Sequence, residues 1–177
     1  MNSAAIRALT DLIWDQLESP DDHVFMLFDG AACAPLLDAL YGADPPQFEC
    51  LYRGDLGDDM AEVAPYIVRL ERDSAFTAWA LSGWGEHWGI IAVSPLAFAQ
   101  TRLHFRKLNL ITGPDQNPLL FRYYDPRVLR VFLPVCDAAQ LSKLFGPIQR
   151  FYVEGDTPGT TQSLALADGQ LVQRQHG

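Results

Sequence analysis

The groups best able to handle charge are concentrated in FRYYDPRVLRVFLP, Phe121 to Pro134, where Arg122, Arg127 and Arg130 stand beside Tyr123, Tyr124 and Asp125. Guanidinium groups at this density could bind an anion, anchor an acidic partner, or tie two structural layers together. Asp125 before Pro126 reads as a helix start: the carboxylate accepts an orphan amide, and proline fills a first-turn position whose missing N–H costs nothing. Arg127 and Arg130 then share one helical face, while Leu129, Phe132 and Leu133 have core-facing spacing. Arg122, Tyr123 and Tyr124 precede the cap and read as the end of a strand. Alternation across that strand sends one tyrosine into the core and the other toward solvent or a partner.

Asp29 is the second candidate, because it ends an apolar run at the position where α/β folds often place active-site groups. Its structural alternative is a turn or cap residue ahead of Gly30. No second acid follows it in a DxD pattern, and no lysine or serine motif adjoins it. Gly83, Gly85 and Gly89 loosely resemble a dinucleotide fingerprint, but the last spacing is one residue too long and the glycines follow a helix pattern. A tight turn that gives Trp84 and Trp88 room to pack accounts for them better. His23, His87, His104 and His176 lack paired metal-ligand spacing, and Cys33, Cys50 and Cys136 form no CxxC pair. There is no P-loop, HExxH or GxSxG motif. The expectation is a protein without a catalytic centre, metal or cofactor, its cysteines reduced.

The elements that must position these residues alternate between helix and strand patterns. They predict an α/β fold, with α+β as the alternative: a mixed sheet flanked by helices. A first helix is expected over Ser3 to Glu18, then a buried strand from His23 to Phe28 and a helix carrying Leu36, Leu37, Leu40 and Tyr41. Further strands are expected at Phe48 to Tyr52 and Ala64 to Leu70, separated by an acidic loop, Asp55 to Glu62; Pro65 implies an edge. Asp73 is read as the cap of a helix ending at Gly83, His87 to Val93 as a central strand, and Ser94-Pro95 as the opening of a helix to Asn109. Gly113 to Pro118 concentrates turn formers and is the best internal boundary. It divides an N-terminal lobe, 1–112, from a smaller C-terminal lobe, 118–177, within one compact unit. In the latter, Asp137 and Gln140 form a capping-box pair, and Asp168-Gly169 joins a terminal hairpin. Residues Arg174 to Gly177 are expected to fray.

The 177 residues, 49% of them hydrophobic, suffice for one substantial core. No apolar segment approaches the roughly 20 residues a bilayer requires, and the amino terminus reads as an amphipathic helix rather than a signal peptide, so a cytoplasmic protein is expected. The net charge of −9 is unevenly divided. Residues 1–88 carry four basic and sixteen acidic side chains, residues 89–177 nine and six, giving −12 and +3. Such a split makes either two unlike surfaces or ion pairs between the halves. The acidic excess opposes phosphate over most of the surface and argues against a nucleic-acid partner.

FRYYDPRVLR, together with FMLFDGAA at 25–32, EVAPYIVRL at 62–70, GWGEHWGI at 83–90 and LFGP at 144–147, resembles the effector chaperones, or adaptors, of the type VI secretion system. The blocks follow one another in order over most of the chain. The resemblance implies a bacterial cytoplasmic protein that holds a toxic effector and helps load it onto the secretion spike. It implies binding without catalysis, to an effector and to the spike protein or its tail extension. An acidic immunity protein blocking a basic toxin is a second reading, and a small hydrolase using Asp29 a third. For a binding role, Trp84, Arg102, Arg106, Tyr123, Tyr124, Arg127 and Arg130 are the candidate contact residues. Asp29, Gly30, Gly83, Gly85, Trp88, Gly89, Arg122, Asp125 and Pro126 are assigned to architecture, Arg122 as an ion-pair partner of Asp125 or of an acid in the first half.

Overall fold

The apolar run from Val24 to Phe28 is the centre of a strand because both of its faces are covered. The structure, a computed structural model, describes residues 1–112 and 115–177. In chain order the strands are β1 (His23–Asp29), β2 (Phe48–Cys50), β3 (Pro65–Leu70), β4 (Gly89–Ser94), β5 (Leu110–Thr112), β6 (Pro118–Leu120), β7 (Arg150–Glu154), β8 (Thr161–Ala167) and β9 (Gln170–His176). Among the described residues the helices are α1 (Ser3–Trp14), α2 (Leu36–Leu40), α3 (Asp58–Val63), α4 (Ala75–Ser82), α5 (Phe98–Leu108), α6 (Pro126–Phe132) and α7 (Ala138–Phe145).

Seven strands form one sheet in the order β2-β3-β1-β4-β7-β8-β9, and β5 pairs with β6 in a small separate sheet. Every pairing is antiparallel. Helices and sheet combine as expected, but the sheet is antiparallel throughout where a mixed one was expected, because the helices are excursions between antiparallel strands and not crossovers between parallel ones. The sheet runs through strands from both expected lobes, β4 pairing with β7. Part of the Gly113 to Pro118 boundary lies outside the described residues.

The period of two along each strand divides the core between two faces. Val24, Met26 and Phe28 pack with Tyr66, Val68 and Ile91 against Leu9 and Ile13 of α1 and Ala80 and Leu81 of α4. Phe25, Leu27, Ile67, Ile90 and Phe151 face the other way, onto Phe105 of α5, Leu129 of α6 and Phe145 of α7. Each fully buried Phe or Leu contributes about 1.5–3 kcal/mol, so two such faces supply most of the driving force for the fold.

Several local readings shift for identifiable reasons. Helix α1 is capped by Asn2 and stops at Trp14, short of Glu18. Pro65 starts an interior strand, not an edge: as the first residue of β3 it lies opposite Asp29, while its carbonyl accepts Leu51 N–H at 2.8 Å. The acidic loop contains α3, which carries Asp58 and Asp59 in its first turn, where carboxylates favour the helix dipole. Ser74, not Asp73, caps α4. Ser94 ends β4 instead of opening α5; its Oγ accepts Leu96 N–H at 3.2 Å, forming a turn, and the helix begins at Phe98. The capping box at Asp137 and Gln140 is present. Asp168 and Gly169, with φ of 51° and 74°, form the hairpin turn, and pairing continues to Thr161 opposite His176, so Arg174 to His176 are ordered strand instead of a frayed end.

Candidate functional site

β6 ends at Leu120, and residues 121–125 form a turn instead of the expected strand end. Phe121 N–H donates to Asn109 O at 2.9 Å, and Asp125 N–H to Arg122 O at 3.0 Å. Without strand alternation the two tyrosines do not divide between core and solvent. Tyr123 and Tyr124 are both buried, at 0% and 1% exposure. The Tyr123 hydroxyl donates to Phe105 O at 2.9 Å and its ring stacks on Phe105 at 5.8 Å, while the Tyr124 hydroxyl lies 3.4 Å from that of Tyr52. Burial pushes both phenols above their ordinary range, so they stay neutral.

Two buried carboxylates flank the turn. Asp29 ends β1, its Oδ1 accepting Ala31 N–H at 3.2 Å while its carbonyl accepts Ala32 and Cys33 N–H, so it caps the turn into the next segment. Its other oxygen is ion-paired with Arg122. Gly30 follows because a Cβ there would lie 2.4 Å from Ala64 O. Asp125 caps α6 with Oδ1, which accepts Arg127 N–H at 2.9 Å, and both its oxygens receive the Arg127 guanidinium, at 3.0 and 2.8 Å. Arg122 also lies 4.0 Å from Asp125 and so bridges β1 to α6. Of the two ion-pair partners expected for Arg122, it has both.

Burial works to raise the Asp125 pKa, but the bonds and charge of Arg127 outweigh it and hold the carboxyl below its usual range. A carboxylate lowered in the folded state stabilises the protein fully above the unfolded value of about 3.9, and that contribution disappears as pH falls through the folded value. Arg127→Ala is therefore expected to lower stability most at neutral pH, where the pair is fully charged, and the difference from the parent is expected to shrink as pH falls below about 4. Urea denaturation of both proteins at pH 7 and in acid checks this; a stability difference of the same size at both contradicts it.

The remaining candidate contact residues are spread out and engaged internally. Arg130 donates to Glu154 O at 2.5 Å and Gly155 O at 3.2 Å and pairs with Asp156 at 3.1 Å, which ties α6 to the β7–β8 connection. Arg102 is paired with Glu49, and Arg106 donates to Tyr52 O at 3.1 Å. Trp84 is buried, its indole N–H donating to Thr161 Oγ1 at 3.0 Å. Arg127, with 54% of its side chain exposed, is the most open arginine of the motif. Three arginines of the second half are thus matched to acids of the first, Arg102 with Glu49, Arg122 with Asp29 and Arg150 with Glu18, and among the described residues the acidic excess of the first half is otherwise left outside such pairs.

A family described as "Domain of unknown function (DUF4123)" matches residues 24–143. The chain belongs to this family. No curated protein and no solved structure matches it. The span matched to DUF4123 begins inside β1 and ends within α7, so it takes in both buried carboxylates, Arg122 and the tyrosine turn. Just beyond it lies another buried carboxylate that the sequence reading missed. Glu154, 4% exposed, accepts His87 N–H at 3.0 Å and meets His87 Nδ1 at 2.5 Å, holding His87 at a φ of 61°. The signal was the acid closing an apolar strand, but its partner is remote in sequence. Among the described residues of this DUF4123 protein no cluster of three or more His, Cys, Asp or Glu could hold a metal ion, and no helix is long and apolar enough to cross a membrane.

Proposed function

We propose that this DUF4123 protein is a non-enzymatic adaptor of the bacterial cytoplasm, which binds a type VI secretion effector and helps load it onto the spike protein. The family match over residues 24–143 carries the reading, because four of the five sequence blocks that resemble the type VI adaptors lie inside it. The disposition of charge supports it. Asp29, Asp125 and Glu154 are each occupied by a cationic group or a histidine, an arrangement that builds architecture more readily than acid–base chemistry. Exposed Leu110, Leu119, Leu120, Val131 and Val135 supply apolar surface of the kind a partner covers.

A stable interface buries roughly 1,600 Å² in total, which a chain of this length provides once, leaving a smaller transient contact for the spike. Co-expression with the protein encoded beside it is expected to yield a stoichiometric complex and a more soluble effector. A free effector of unchanged solubility would sink the adaptor reading. Rescue of cells from the isolated toxic domain would favour an immunity role instead.

A further inference from the structure

The chain contains only two lysines, Lys107 and Lys143, and both line one apolar groove. The groove has a volume of about 370 Å³ and lies between the end of α5, the β5–β6 sheet, α6 and α7. Phe121 and Phe132 lie within it, their ring centroids 4.6 Å apart. Leu110 and Ile111 also line it and are 61% and 37% exposed; their partners across the hairpin, Leu120 and Leu119, are 52% and 47% exposed. A two-stranded sheet with three residues per strand gains little from its own pairing, so four half-open aliphatic side chains on it are costly to leave in water.

The charge on the groove says what would cover it. Among the described residues, seven of the eleven arginines pair with carboxylates: Arg69, Arg72, Arg102, Arg122, Arg127, Arg130 and Arg150. Neither lysine is within ion-pair distance of any carboxylate there, and both are exposed. A lysine stem lies along apolar surface while its ammonium stays in water, and the head reaches carboxylates over a range of geometries. In a molecule of net charge −9, two unpaired cations at one apolar groove also attract acidic groups that the net charge repels.

We propose that this groove seats the effector through an apolar segment whose edges carry aspartate or glutamate side chains, which pair with Lys107 and Lys143. The proposal rests on the adaptor reading. The scarcity of lysine makes its test direct, since amine acetylation read by mass spectrometry reports on the groove at two positions, with the Met1 amine as a reference outside it. In the complex with the neighbouring-gene effector, both lysines are expected to acetylate about tenfold more slowly than in the free protein, with Met1 unchanged. Lys107→Glu combined with Lys143→Glu is expected to weaken effector retention by about tenfold or more and to reduce its salt dependence, with an unaltered melting curve.

A complex in which both lysines label at the free rate overturns the groove assignment and leaves the adaptor reading standing. Failure to form any complex overturns the adaptor reading itself. Lysines already protected in the free protein, at the mass of a dimer, assign the groove to a second copy and overturn the proposal.

Discussion

Arg122→Met is expected to lower the unfolding free energy by about 3 kcal/mol, because it strands the Asp29 carboxylate, only 1% exposed, without its counter-ion. Breaking a buried pair by removing one partner costs about 3–5 kcal/mol. The lower end applies here because 43% of the Arg122 side chain is exposed, so water softens the loss. Asp29→Asn should be much milder, at about 1 kcal/mol, since the amide oxygen still accepts Ala31 N–H and Arg122 keeps Asp125 nearby. The double variant should lose less than the sum of the two single ones, with a coupling of about 1–2 kcal/mol. Urea denaturation of the four proteins measures the cycle, and additive losses would remove the ion pair from the account. Effector binding by Asp29→Asn also separates an architectural residue from a chemical one: unimpaired binding and folding go with the former.

Gly89→Ala is expected to cost about 3 kcal/mol or more and to leave much of the protein in aggregates when expressed at 37 °C. A Cβ at Gly89 would lie 2.0 Å from Leu27 O and 2.9 Å from Leu27 C, on the neighbouring strand β1, where Gly89 stands opposite Phe28. Backbone in the centre of a seven-stranded sheet cannot retreat without opening the ladder. Gly83→Ala creates an equally close contact, 2.2 Å, but with the Trp88 ring, a half-buried side chain that can swing aside. About 1–2 kcal/mol is expected there, with a changed tryptophan emission. A thermal melt of both variants decides the point; Gly89→Ala melting like the parent would contradict it. The glycines of GWGEHWG therefore divide their work. Gly89 admits a neighbouring strand, Gly83 admits Trp88, and Gly85 takes a φ of 110° in open space. A phosphate-binding loop would point such positions at a ligand.

Local signals made much of the fold legible. The apolar run of β1, the Asp125-Pro126 and Asp137–Gln140 helix starts and the Asp168-Gly169 turn each depend on residues only a few positions apart, and each lies where its chemistry indicated. What stayed hidden was long-range. The pairing of Arg102 with Glu49 and of Arg122 with Asp29 joins residues 53 and 93 positions apart, so the charge split could equally have signified two unlike surfaces. The tyrosines were misplaced for another reason: Phe121 to Asp125 carries no glycine to announce a turn, and a strand period was extended through it. Glu154 and His87 show the same limit, as neither has a local reason to be found by the other.

The position of β7 in the sheet has a consequence for how the protein is made. Val93 pairs with Arg150, so the β4 edge waits for more than fifty further residues to leave the ribosome before it is closed. Until then a nascent chain presents an apolar strand with unpaired amides and carbonyls, the arrangement that most readily recruits other chains. The segment already synthesised by that point, residues 1–88, carries a charge of −12. Mutual repulsion between nascent chains on neighbouring ribosomes is then strongest during the interval when the open edge is most dangerous.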